Sequence, residues 1–202
     1  MYVFAHDGEC QFSGRWTTIT AARAFDPLIL QVPIEATHWI RFTAGATANL
    51  AVHEVVTGGT GSGTAVVVAQ IIEQGTAGGS SSAGVLLLRN LSWLATTVVG
   101  VDFVATEVLT GGTSTGTVVA SGPVQRIISH APAKTLLITC QTATLQFSYS
   151  GLDPTATAGT DEGMQLVSGG NFLLRGPHNI KKFKAINAVN GSGSVMKYAL
   201  HY

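Results

Sequence analysis

One phrase occurs twice in this chain. It runs Glu54-Val-Val-Thr-Gly-Gly-Thr-Gly-Ser-Gly-Thr64, and 53 residues on it returns as Glu107-Val-Leu-Thr-Gly-Gly-Thr-Ser-Thr-Gly-Thr117. Each copy follows an apolar run, Leu50 to Val52 or Val101 to Val104, and precedes another, Ala65 to Ala69 or Val118 to Ala120. Self-similarity of this kind constrains architecture before any single residue is weighed. Apolar runs of strand length on either side of a Gly/Thr turn predict a β-hairpin, used twice.

Comparing the copies also tests them for chemistry. Gly112-Thr-Ser114-Thr-Gly116 matches the G-x-S-x-G pattern of serine hydrolases. That chemistry needs a strand-to-helix elbow with a His and an acid in support. Here the serine sits in a turn that leads into a β-branched strand, and the other copy has Gly61 in its place. Gly58-Gly-Thr-Gly-Ser-Gly63 has the look of a phosphate loop, but no Lys-Ser/Thr ending follows, nor any helix N-terminus. In both copies the glycines read as turn residues that need unusual backbone angles.

The rest of the chain is dense in short runs of Val, Ile, Leu, Thr and Phe, broken by Gly, Asn, Asp and Pro. That spacing predicts an all-β fold, an antiparallel β-sandwich or jelly-roll-like arrangement with little or no helix. Ile19 to Phe25 reads as one or two helical turns at most, ending at Asp26-Pro27. Four times an apolar run, a small polar turn and an alternating run succeed one another, starting at Trp39, Val85, Leu136 and Ile180. Alternation puts Leu145, Phe147 and Tyr149 on one strand face and Gln146 and Ser148 on the other. In the last unit Val195, Lys197 and Ala199 oppose Met196, Tyr198 and Leu200, and Asn190-Gly191 is a strong hairpin signal. Residues 75–84, within Gln74 to Gly84, form a Gly/Ser-rich loop or linker between an N-terminal β module, 1–74, and a C-terminal one, 85–202. The alternative is one β-sandwich domain over 1–202.

Composition bears on partners. Of 202 residues only 11% are charged, with 11 basic and 11 acidic residues and no net charge, against about 25% charged in typical chains. Disorder driven by charge is excluded, as is a polyanion binder built on bulk positive charge. So uncharged a surface is prone to self-association unless neighbours cover it. No apolar run reaches the 18 or so residues of a membrane helix, and a secretory leader is not expected from the opening residues, Met1-Tyr-Val-Phe-Ala-His-Asp. Cys10 and Cys140 therefore read as free thiols. The six histidines are scattered, with no metal-ligand spacing, and Asp161-Glu162, with Asp153 nearby, reads as a solvated loop. Lys181, Lys182 and Lys184 form one basic stretch, read as a strand with Lys182 and Lys184 on a shared face. Such a stripe is a polyanion contact or, more often, a solvated strand face or an edge guarded against aggregation.

The repeated phrase resembles segments of tailed-bacteriophage virion structural proteins. So do Gln165-Leu-Val-Ser-Gly-Gly-Asn-Phe-Leu-Leu-Arg-Gly176, Ile180-Lys-Lys-Phe-Lys-Ala-Ile186 and Gly193-Ser-Val-Met-Lys-Tyr198. The resemblance implies a non-enzymatic virion component without cofactor, metal or catalytic residues, assembled in the host cytoplasm. Its expected role is capsid decoration, as a homo-oligomer, with a trimer favoured, bound to the major capsid protein or other virion proteins. Nucleic acid and membrane are not expected partners. Contacts are expected from the aromatic N-terminal segment (Tyr2, Phe4, Phe12, Trp16) and from the hairpin tips (Gly58, Gly59, Gly111, Gly112). The alternative is a fibre or receptor-binding module for host glycans, with Trp39 and Trp93 as its exposed aromatics.

Overall fold

A computed structural model describes residues 10–17, 19–46, 48–60, 63–76, 78–92, 103–155, 163–188 and 193–202, with no account of the side chains at 45 and 46. The protein is all-β and divides into two units. Unit 1 comprises Met1–Val32 and Ile128–Tyr202, and unit 2 is Pro33–Ile127. Unit 2 is thus inserted into unit 1, and the chain crosses between them twice.

The chain starts in unit 1 with β1 (Cys10–Thr17), β2 (Arg23–Ala24) and the single-turn α1 (Pro27–Leu30). It continues in unit 2 with β3 (His38–Ala46), β4 (Val55–Gly58), β5 (Thr64–Gln74), β6 (Ala83–Ser92), β7 (Val108–Gly111), β8 (Thr117–Ala120) and β9 (Gln125–Arg126). It returns to unit 1 with β10 (Thr135–Thr142), β11 (Leu145–Ser148), β12 (Met164–Leu166), β13 (Asn171–Arg175), α2 (Pro177–Lys182), β14 (Lys184–Asn187) and β15 (Val195–His201).

Unit 1 holds two four-stranded antiparallel sheets, ordered β1-β15-β10-β13 and β12-β11-β14-β2. Rings from both sheets meet. Trp16 lies 4.6 Å from Phe25, Phe25 lies 4.8 Å from Tyr198, and Phe147 lies 4.6 Å from Phe172. Such ring pairs contribute about 0.5–1.5 kcal/mol each beyond the area they bury. Along β15, Met196, Tyr198 and Leu200 are buried while Lys197 is exposed, as the alternation requires. β11 departs from its expected pattern, because Gln146 is buried beside Leu145 and Phe147.

Unit 2 is a barrel. Its strands pair antiparallel in the order β6-β5-β4-β7-β8-β3, and a β3–β6 ladder closes the ring. Each repeated phrase is a hairpin, β4–β5 with Thr57 opposite Thr64, and β7–β8 with Thr110 opposite Thr117. The two hairpins meet along β4–β7, where Val56 faces Gly111, Thr57 faces Thr110 and Gly58 faces Leu109. Thr57 and Thr110 hold the same position in the phrase, so a pseudo-twofold axis passes between them. On the opposite wall Ile40 faces Leu86, flanked by Arg41 with Val85 and Trp39 with Leu87, and the axis leaves the barrel there. The interior obeys the same symmetry. Its twelve buried residues form six equivalent pairs: Ile40/Leu86, Phe42/Leu88, Leu50/Phe103, Val56/Leu109, Ala65/Val118 and Val67/Ala120. A closed ring also removes the exposed edges that an open six-stranded sheet would have to protect.

Three sequence expectations are corrected here. Gln74 to Gly84 does not separate two modules. It is the tip of the β5–β6 hairpin, with Ile71 opposite Val85 and Ile72 opposite Gly84, and a glycine-rich tip has the same composition as a linker. Helix α1 begins where one was expected to end: Asp26 caps it, its side chain accepting the Leu28 N–H at 2.8 Å, and Pro27 takes the first helical position. Ile180 to Lys182, read as the start of a strand, belong instead to α2, which has proline again at its start, so Lys182 and Lys184 do not share a strand face. The Asn190-Gly191 turn lies outside the described residues.

The ends of unit 2 come together, since Ile127 N–H donates to Thr37 O at 2.9 Å and β9 pairs with the start of β3. The two segments of unit 1 meet likewise, with Ala133 N–H donating to Leu30 O at 2.8 Å. A chain of residues 33–127 alone is expected to give a cooperative thermal transition by circular dichroism, and so is 1–32 joined to 128–202 by a short Gly/Ser linker. A non-cooperative melt of either would contradict the division.

Candidate functional site

Glu54 and Glu107 open the repeated phrase, each one residue before its strand. Their carboxylates do not serve their own hairpins. Each crosses the pseudo-twofold axis to the Gly-rich turn of the other copy. Glu54 Oε2 accepts the N–H groups of Thr113 at 3.1 Å and Ser114 at 2.9 Å, and Oε1 accepts the Ser114 hydroxyl at 2.6 Å. Glu107 Oε1 accepts the N–H of Thr60, equivalent to Thr113, at 2.7 Å. Each carboxylate also reaches back to its own copy, Glu54 Oε1 accepting the Ala51 N–H at 2.5 Å and Glu107 Oε2 the Val104 N–H at 3.0 Å.

Both acids are buried, with relative exposures of 6% and 3%. A carboxylate taken out of water is costly unless hydrogen-bonded, and a turn buries N–H groups that need an acceptor. The crossed latches satisfy both demands together. Burial acts to raise the pKa of Glu54, but its bonds from the Ser114 hydroxyl and from the Ser114, Thr113 and Ala51 N–H groups outweigh it and hold the carboxyl below its usual value. The residue before each acid is also matched: His53 and Thr106 both adopt left-handed backbone, with φ of 68° and 72°.

The latches explain two of the turn glycines. A Cβ on Gly58 would lie 2.8 Å from Glu107 Cδ, and one on Gly111 would lie 2.7 Å from Glu54 Cδ. Both glycines are buried beneath the partner copy's carboxylate, so they are structural and not contact residues. Gly59 and Gly112 are exposed, and their N–H groups complete the ladder by donating to Val108 O at 3.0 Å and Val55 O at 2.9 Å. Ser114, the serine of the hydrolase-like pattern, donates to Glu54 and accepts the Gly116 N–H at 3.1 Å. Its hydroxyl is thereby engaged in the latch.

With alternate residues directed inward, β4 and β7 present Val55, Thr57, Val108 and Thr110 outward. Val55 is 48% exposed and its equivalent Val108 is 45% exposed. Neither strand carries a charge. The charged pairs Arg41–Glu73 at 2.7 Å and Arg89–Glu35 at 3.1 Å involve other elements. The outcome is a small uncharged face with its own twofold symmetry.

Other expected contact residues fall elsewhere. Phe12 and Trp16 are 0% and 1% exposed, packed into unit 1 against Tyr202 and Phe25, with Arg23 stacked 4.9 Å over the Trp16 ring. They are core residues, which corrects the expectation of an aromatic contact arm; Tyr2 and Phe4 lie outside the described residues. Trp39 is half-buried, while Trp93 and Asp161-Glu162 are not described. Lys184 pairs with Asp153. Cys10 is exposed and Cys140 buried, both free thiols, and burial pushes the pKa of each up. Unit 1 has a cavity of about 270 Å³ lined by prolines, Leu30, Ile180, His178 and Lys181. Among the described residues no three His, Cys, Asp or Glu side chains converge as metal ligands. No protein-family model, curated protein or solved structure matches this chain.

Two outcomes test the latch. Glu54→Ala strands three N–H groups and a hydroxyl, and is expected to cost unit 2 about 2–3 kcal/mol in urea unfolding at neutral pH. Gly111→Ala is expected to cost about 1–3 kcal/mol in the parent by displacing the carboxylate, but much less in the Glu54→Ala background, because the two changes remove one interaction. The folded-state pKa of Glu54 is lowered, so its stabilisation is complete above the ordinary glutamate value of about 4.3 and fades as pH falls through the lower folded value. The stability gap between parent and Glu54→Gln should therefore narrow between neutral pH and about pH 3.

Proposed function

We propose that this protein is a structural component of a tailed-phage virion, a capsid decoration protein that stabilises the head through protein–protein contacts. The observation that carries this reading is the twofold face of Val55, Thr57, Val108 and Thr110 on the wall of the barrel. It offers β-branched methyls and hydroxyls without charge, on strands whose turns are fixed from beneath by buried carboxylates. Such a surface is rigid before it binds, which lowers the entropic cost of ordering it.

Size adds to the argument. Four small side chains cover far less than the roughly 800 Å² per partner of a stable pairwise interface. A patch of this kind holds by repetition, many copies on a regular lattice with each contact made at high effective concentration. The low charge of the whole chain and the resemblance of the repeated phrase to virion structural proteins favour the same reading. In it, the major capsid protein is the partner and neighbouring copies cover further surface.

The test uses heads of the cognate phage that lack the protein. Added protein is expected to bind at hundreds of copies per particle and to raise the melting temperature of emptied, expanded heads. Val55→Asp with Val108→Asp is expected to lose binding while the free protein melts as before. Protein that blocks adsorption of virus to cells, and leaves heads unbound and unstabilised, would be a receptor-binding module and would overturn the proposal.

A further inference from the structure

We infer that unit 2 is one dimerising module carried twice in a single chain, and that the surface each half presents to the other also fits a second copy of this chain. Contacts between the halves come in equivalent pairs. The β4–β7 ladder maps onto itself about Thr57 and Thr110, and the β3–β6 ladder about Ile40 and Leu86. The β5–β6 pairing, with Val67 opposite Leu88, has its counterpart in β8–β3, with Ala120 opposite Phe42. Glu54 and Glu107 exchange the same bond to Thr113 and Thr60. This is the organisation of an isologous dimer, in which one patch serves both partners.

A fused dimer of this design can close between chains as well as within one. The halves are joined by a single connection, from Gly75 to Ser82, which among the described residues is held by two local backbone bonds: Gly79 N–H to Thr76 O at 2.9 Å and Ser82 N–H to Gly79 O at 3.0 Å. Opening it gives up those local bonds. Every ladder, latch and core pair can then be remade between the first half of one chain and the second half of another. Everything after the connection moves together, so unit 1, whose β1 pairs with β15 and β2 with β14, is rebuilt across the two chains with its own register. Exchange of identical elements is a low-cost route to a dimer, and this inference does not depend on binding to a phage head.

Gly75 is the control point. Its φ is 75°, and a Cβ there would lie 2.6 Å from Ser81 O. Gly75→Val thus strains the closed connection and leaves an extended one unstrained. The experiment uses full chains with Cys10→Ser, since Cys10 is exposed and Cys140 is buried. As a control, one chain with both Thr57→Cys and Thr110→Cys should form an internal disulfide, because the two are opposite in the β4–β7 ladder. Failure of that control would remove the twofold axis and the inference with it. Chains with Thr57→Cys alone and chains with Thr110→Cys alone are then mixed, unfolded in urea and refolded together. Covalent dimers containing both chains are expected on non-reducing gels, rising with protein concentration and about ten-fold more abundant with Gly75→Val. Gly75→Val chains that refold only as monomers without the cross-link, or that do not refold at all, would overturn the inference, since the exchanged form relieves the strain.

Discussion

Unit 2 depends on two carboxylates that each serve the opposite half. A Gly-rich turn is weakly determined by its own sequence. It has little side-chain surface to pack, and its N–H groups need acceptors. Here the acceptor comes from across the symmetry axis, so neither hairpin tip is complete without the other. The same bonds favour one register of β4 and β7, because a slip that brings Cβ-bearing Thr57 or Thr110 beneath the facing carboxylate would clash there. The twofold interior follows from that register.

The sequence made part of this legible. Two copies of one phrase between apolar runs imply two hairpins, and the absence of sustained helical periodicity implies an all-β chain. The glutamates were in view as the first letter of the phrase in both copies. What hid their role is distance: Glu54 meets Ser114 and Glu107 meets Thr60, and periodicity within a window reports nothing about partners so far away. The available signal was an acid repeated at one position before a turn rich in unsatisfied N–H groups.

Other features were hidden for the same reason. β1 pairs with β15 across most of the chain, and no local pattern tells an inserted unit from a following one. Phe12 and Trp16 have the composition of a sticky arm, yet both pack against residues beyond them in sequence, Phe12 on Tyr202 and Trp16 on Phe25. Helix α2 is one short segment in strand-like sequence, started by Pro177. The sequence pattern points to the glycines of the hairpin tips as contacts, whereas the uncharged face lies on the strands beneath them.

The insertion also decides how tension would pass through the molecule. Cys10 lies opposite His201 at one end of the β1–β15 ladder. A pull on the two chain ends would open that ladder one residue pair at a time, a low-force mode of rupture. Unit 2 is inserted in the chain between α1 and β10, so the β1–β15 ladder takes the load before unit 2 does. Its closed ring would feel force only after the aromatic seam of unit 1 had parted, which makes unit 1 the mechanical fuse and the twofold barrel the part it shelters.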